Sequence, residues 1–292
     1  MLSRCIKMVG CAVTLGLLLT STRPSAAEGV IVSGHEEYAP FMWRQGNEIV
    51  GVGIDVVNII FHDLGINVTS RYVGPWKRIL RKIELGEVDI LCGGYITDDR
   101  LEYMAFSVEP LSADPTAVFV WHTRVFPFET RDDLKGIRFG EVLGESQGQE
   151  FDAWRKKYAS VEEVPTSILN IKKLEANRID AFVTGLYSGL LHIKKEGFAG
   201  RIIPLKRPVN TEYLHIGISK KSKYIQYLPQ INRKLRELRR NGTIERLIQY
   251  HLENYSVTDS DPYYSSNTAD HQQIISVLSA CATRSQIDSG DY

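Results

Sequence analysis

The sequence predicts an α/β chain folded as two lobes joined by a two-strand hinge, and three observations predict it. Strand-like and helix-like segments alternate from residue 30 to residue 252, the pattern of sheets covered by helices. The grammar of strand, loop and helix begins again at Asp133-Leu134-Lys135-Gly136, so a second unit repeats the first. Two β-rich runs, at 115–121 and 213–219, lie where the chain leaves the first unit and returns to it. With 292 residues, 43% of them hydrophobic, the chain can bury two modest cores.

Residues 30–33 open as a strand. Residues 53–64 follow as a helix, because Ile54, Val57, Ile60, Phe61 and Leu64 recur at core spacing and Gly65 supplies a stop. Asp55 is read as a capping acid of that helix. Residues 68–73 form the next strand. A turn at Gly74-Pro75 starts an amphipathic helix over 76–85, then a short buried strand at 88–91 and a glycine-relaxed loop ending in Arg100. In the second unit the strand is 137–142, the loop 144–147 and the helix 149–158. Strands at 161–164 and 179–183 flank a helix over 167–176, where Ile168, Ile171 and Leu174 lie three apart. Another helix covers 187–195, and residues 201–205 lead past Pro204 and Pro208 to the return crossing. Residues 224–252 are helical with a break at Asn241-Gly242 and are expected to pack on the first lobe. The first lobe thus takes 28–118 with 210–255, and the second takes 119–209. The polar stretch 256–292 is expected to be disordered.

Thirty-five basic and thirty-five acidic residues balance, so the overall charge calls for neither nucleic acid nor an anionic membrane. Arg4 and Lys7, an apolar core over 8–19 and the small residues Ser25-Ala26-Ala27 have the three-part layout of a secretory signal, covering 1–27. That apolar core falls short of the roughly 20 residues that span a bilayer, so a cleaved leader and a periplasmic location are expected. Cys92 reads as a small core residue, since no nearby His or Cys gives metal-ligand spacing; no metal or cofactor is expected.

The chemistry concentrates in residues 74–100, read with Tyr38-Ala39-Pro40-Phe41. Two aromatic faces, Tyr38 and Trp76, and a lone Arg100 surround one implied cleft. An arginine leaving such a loop meets a carboxylate with two parallel N–H bonds. The bland alternatives are an Arg100 surface pair with Asp98, Asp99 or Glu102, and a Trp76 that only caps its helix.

These residues resemble a family, the extracellular solute-binding proteins of the amino-acid-binding type, also called periplasmic binding protein type II. The resemblance is carried by Tyr38-Ala39-Pro40-Phe41, Gly51-Val52-Gly53-Ile54-Asp55, Pro75-Trp76, Leu85-Gly86-Glu87-Val88-Asp89, Thr97-Asp98-Asp99-Arg100, Phe106-Ser107, Leu134-Lys135-Gly136, Arg178-Ile179-Asp180-Ala181 and Asn241-Gly242-Thr243. Their shared order and spacing span nearly all of 30–252. The resemblance implies a monomeric, hinge-closing receptor that captures a small carboxylate-bearing ligand and hands it to a membrane permease of the ABC type. It implies that Arg100 clamps the carboxylate with help from Ser146, and that Tyr38 and Trp76 sandwich the ligand side chain.

The pattern departs from the family at Gly185, where amino-acid-binding members carry an acid for the ligand's ammonium. The supporting hydroxyls fall on Gly93 and Tyr95. A buried ammonium with no acceptor loses about 2–5 kcal/mol, so the ligand is expected to keep its carboxylate and to lack the usual α-amino acid geometry. Glu36, Glu37, Glu141 and Glu145 lie on segments predicted to end at the cleft, and His35 stands where relatives selective for cationic side chains carry an acid. Two other classes remain open: a dehydratase-like enzyme on the same fold, with Glu141 or Glu145 as general acid, and a ligand-sensing module for a separate signalling partner.

Overall fold

The computed structural model describes residues 29–255; the leader and tail readings lie outside the described residues. The first half begins with β1 (Val30–Ser33), followed by a small antiparallel meander of β2 (Glu37–Tyr38), β3 (Met42–Gln45) and β4 (Glu48–Val50). Then come α1 (Val52–Asp63), β5 (Val68–Ser70), α2 (Trp76–Leu85), β6 (Ile90–Gly94), the single turn α3 (Asp98–Leu101), β7 (Met104–Phe106) and the long β8 (Ser112–Trp121). The second half runs through β9 (Arg138–Val142), α4 (Gln149–Tyr158), β10 (Ser160–Val164), α5 (Ser167–Glu175), β11 (Ala181–Gly185), α6 (Leu186–Lys195) and β12 (Ile202–Pro204). The chain returns along β13 (Asn210–Ser219) and ends in α7 (Leu228–Arg240) and α8 (Thr243–Asn254).

The strand order is β10-β9-β11-β8-β13-β6-β1-β5, with β12 paired to β8 and β7 to β13. Residues 112–116 of β8 pair antiparallel with 210–214 of β13. Beyond that joint the two strands part company. The rest of β8 carries β11 and β12, while the rest of β13 carries β6 and β7. One sheet therefore serves each lobe, and among the described strands this short antiparallel pairing alone joins the two sheets.

Each sheet is covered on both faces, which is why its strands read as apolar runs. In the first lobe α1, α7 and α8 bury Val57, Ile60, Phe61, Ile231, Leu235 and Ile244 on one face, and α2 buries Ile79 and Ile83 against Leu91 and Met104 on the other. In the second, Ile171, Leu174 and Leu191 cover Phe119 and Phe182, and Phe139 and Phe151 fill the opposite face. Each such side chain contributes about 1.5–3 kcal/mol relative to exposure.

Three readings need correction. The meander over 37–50 is absent from the sequence reading, because only Met42 and Ile49 of its longer strands are deeply buried and no sustained alternation results. The loop ending in Arg100 closes as one helical turn, with Thr97 as N-cap accepting from the Arg100 amide at 3.4 Å. Asp55 does not cap α1, whose N-cap is Gly51 without a side-chain bond; its carboxylate meets His251 Nε2 at 2.6 Å and fastens α8 to α1.

Gly189, in the middle of α6, faces the Phe119 ring, which stacks on Phe182 at 5.1 Å. A Cβ there collides with ring carbons that the stack holds in place. Helix propensity favours alanine over glycine by about 1 kcal/mol, whereas overpacking costs about 1–3 kcal/mol. Gly189→Ala is therefore expected to lower the urea midpoint; an unchanged or raised midpoint would show that the ring stack yields freely.

Candidate functional site

The Thr97 cap turns the Arg100 side chain inward, where it is 5% exposed. Its Nη1 donates to the Tyr95 carbonyl at 2.9 Å, its Nη2 reaches the Gly144 carbonyl at 3.5 Å, and the guanidinium lies 5.3 Å from the Trp76 ring centroid. Burial lowers its pKa from the ordinary value, opposed by Tyr103, Asp152, Tyr95 and Glu145 nearby. An arginine so shifted is still a cation. Among the described residues no carboxylate lies within ion-pair distance of it, so the surface pairs with Asp98, Asp99 or Glu102 are not formed.

Tyr38, Trp76, Gly93, Tyr95 and Arg100 from the first lobe and Ser146 from the second line one cavity, with His35 and Glu145 beside them. Its central free volume is about 30 Å³, room for a water or two. The lobes meet around it. The Trp76 indole N–H donates to the Gly144 carbonyl at 2.8 Å, and Gln149 donates to Asp98 at 2.9 Å. Tyr38 and Trp76 flank the His35 ring, at 5.7 Å and 5.1 Å between centroids. A wider groove, bordered by Lys77, Arg78, Arg81 and Lys156, opens on the outer side of Arg100.

Glu37 and Gly185 stand outside this lining. The Glu37 carboxylate accepts from the Ser167 amide at 2.8 Å, at the start of α5, and its carbonyl takes the Ser188 hydroxyl at 3.0 Å. Glu37 is thus a clasp between lobes, favoured by the positive end of the helix. Glu141 is buried against Arg155 in the second lobe; burial pushes its carboxyl up to about 8, against the pull of that guanidinium. Arg155 also holds Asp152 at 3.1 Å, and Asp152 accepts the Ser146 hydroxyl and the Gln147 amide, so this network fixes the loop that faces Arg100.

His35 Nε2 lies 3.0 Å from Glu145 across the lobe boundary. Burial acts to lower the His35 pKa, but hydrogen bonding and charge from Glu145, with Glu36 and Glu37 behind it, outweigh burial and raise it. The Glu37 amide donates to Nδ1 at 2.9 Å, so the ring here carries its proton on Nε2. Gaining a second proton would break that bond, which limits the rise.

The residue that sequence reasoning missed is Asp114, on β8 at the joint. It is fully buried and accepts from the Tyr38 hydroxyl at 2.6 Å and the Tyr95 hydroxyl at 2.7 Å, both on Oδ2. A Cβ added at Gly185 would meet its two carboxylate oxygens at 2.8 Å and 2.9 Å. The missing side chain at 185 thus leaves room for a carboxylate delivered from the hinge strand. Burial is the main reason its pKa is raised to about 6; the tyrosine hydrogen bonds pull it back, and the charges of Glu145 and Glu212 add to the rise. An acid inside an apolar crossing strand was the available signal, since Asp is depleted in strands.

Comparison with known proteins agrees with this architecture. The chain is 22% identical over 213 residues to the probable amino-acid-binding protein YxeM of Bacillus subtilis, an alignment covering 71% of this chain and 78% of YxeM. Its fold is shared with a histidine kinase sensor domain similar to periplasmic binding proteins, at a TM-score of 0.66 and 19% identity over 77% of this chain and 96% of that one. It is shared equally with the substrate-binding protein AbpA of an amino acid ABC transporter from Streptococcus pneumoniae, bound to L-arginine, at a TM-score of 0.63 and 18% identity over 76% and 94% of the two chains. The model of the bacterial extracellular solute-binding proteins, family 3, matches residues 30–254, and the chain belongs to that family.

Proposed function

We propose that this protein captures a small ligand bearing a carboxylate between its two lobes, beyond the inner membrane, and delivers it to an ABC-type permease. The observation that carries the reading is the Arg100 guanidinium, buried at the lobe boundary, whose hydrogen-bond partners among the described residues are the carbonyl oxygens of Tyr95 and Gly144. A buried cation of this kind is stabilised strongly by an anion entering the cleft, at about 1.5–3 kcal/mol for each charge-assisted hydrogen bond. Trp76 and Ser146 support the reading because they bring both lobes to the same cavity, so a ligand held there favours closure. A sensing role for a separate signalling partner is the second reading, favoured by the likeness to the kinase sensor domain. The two differ in the cell: loss of the protein abolishes uptake in the first case, and in the second leaves uptake intact while a transcriptional response disappears.

Calorimetric titration of the mature protein with the L-amino acids and simple organic acids is expected to find a carboxylate ligand. Arg100→Met should weaken that ligand by more than about a hundredfold, the equivalent of two charge-assisted hydrogen bonds. Arg100→Lys, which keeps the charge and loses the fork, should retain part of the affinity. Undiminished binding by Arg100→Met would remove the carboxylate clamp. Trp76→Phe keeps an aromatic face and deletes only the indole donor that reaches Gly144. Its expected effect is a weakening of about three- to tenfold, the worth of one neutral hydrogen bond made on closure; no change in affinity would show that the bond persists in the open form.

A further inference from the structure

We propose that His35 and Glu145 form a proton-dependent latch: the imidazole of one lobe and the carboxylate of the other hold the lobes together by the protein's own side chains, and a ligand entering between Tyr38 and Trp76 has to displace the ring. The inference goes beyond the carboxylate reading of Arg100 and does not depend on it.

Each half of the latch is built on its own lobe. The Glu37 amide donates to His35 Nδ1 at 2.9 Å and fixes the ring from the first lobe. Gln147 donates to Glu145 Oε2 at 3.2 Å, and the Gln147 amide is held in turn by Asp152, so the second lobe presents Oε1. His35 Nε2 and Glu145 Oε1 then stand 3.0 Å apart, with both side chains more than nine-tenths buried. The ring N–H is not aimed along that line, since Nε2 has no well-directed acceptor among the described residues; the contact is chiefly one of charge and strengthens when the ring is protonated. Trp76, whose ring centroid is 5.1 Å from that of His35, grips the preceding residue of the same loop through the Gly144 carbonyl. The His35 ring lies between Tyr38 and Trp76, and the free volume left in the cavity is about 30 Å³. Only a water or two fits beside the ring, so ring and ligand compete for one slot.

The surroundings favour a proton on this ring in the closed form. Glu36 Oε2 lies 4.0 Å from Nδ1, buried and without a donor among the described residues, and Glu37 adds its charge from the same loop. Protonation therefore exchanges the Glu37 amide bond for a charge pair with Glu145 and, through Nδ1, with Glu36. Tyr38 faces the ring and stays protonated, and Arg100 on the same cavity is the opposing cation. Burial, the largest influence, acts to lower the His35 pKa; Glu145, then Glu36 and Glu37, outweigh it and leave the value above the ordinary 6.5. Opening withdraws Glu145 and admits water, so the ring returns toward 6.5. A group that binds its proton more tightly in the closed form favours closure as protons are added. The extra closure is complete below about pH 6.5 and is lost as the pH rises through the closed-form value.

The test needs no ligand. Protein stripped of small molecules by unfolding and refolding is followed by NMR of its imidazole signals and by small-angle X-ray scattering, with melting temperatures to check that each variant is folded. His35, identified by the signal missing from His35→Gln, is expected to titrate above 6.5. Glu145→Gln should lower that value by about one unit or more, the usual effect of removing an opposite charge within about 4–6 Å. A difference of about one unit between closed and open forms changes the closure equilibrium by up to about tenfold. The wild-type radius of gyration should therefore be smaller at about pH 6 than at about pH 8.5, whereas His35→Gln and Glu145→Gln should be larger than wild type at about pH 6 and lose most of the pH dependence. Asp114, whose pKa burial raises to about 6, also titrates in this range, and any small response left in His35→Gln belongs to it and to the other histidines. Full retention of the response by His35→Gln overturns the proposal. So does an unshifted His35 titration in Glu145→Gln, or a wild-type radius that ignores pH.

Discussion

Everything in this molecule hangs on five residue pairs of antiparallel sheet, 112–116 against 210–214. Each strand leaves that joint to serve a different sheet, so the lobes share a ladder of backbone hydrogen bonds, beside which Ala39 and Leu252 of the first lobe pack into the core cluster of the second. A ladder of this length resists shear along the strands and yields to twist. The same joint carries Asp114, whose carboxylate reaches the cavity wall through two tyrosine hydroxyls. Mechanical and electrostatic centres of the protein therefore coincide on β8.

The electrostatics of the cavity run against the stability of the ligand-free chain. A buried guanidinium has carbonyl oxygens where an acid would suit it, and a buried carboxylate keeps one oxygen without a donor. In an ordinary core such groups would be paired or replaced, because unpaired burial costs several kcal/mol. Their persistence at one lobe boundary is the usual mark of a site in which binding supplies the missing partners. Two neighbours have their partners within the protein: Ser146 in Asp152, and Glu37 in the start of α5.

Much of this was legible in the residues. Gly74-Pro75 and Gly86 bracket α2 because one fixes the entry and the other adopts the left-handed conformation that ends a helix, φ +81°. Arg100, Trp76 and Ser146 were readable as partners through family resemblance, although they are far apart in sequence. Periodicity failed at the meander over 37–50, where strands of two to four residues carry too few repeats to register. It failed more consequentially at Asp114. A sequence reading looked for the acid at 185 and found glycine, whereas the strand register sets Gly185 opposite Thr116, two residues from Asp114. Cross-strand neighbours of that kind have no signature along the chain.

The Trp76 indole has one more consequence. Of the four tryptophans, it alone lines the cavity, with its N–H bonded to a carbonyl of the facing lobe and a guanidinium over its ring. Parting the lobes would replace the Gly144 carbonyl with solvent and leave the guanidinium, which belongs to the same lobe, in place. The protein thus carries an intrinsic fluorophore bonded across the boundary between its lobes.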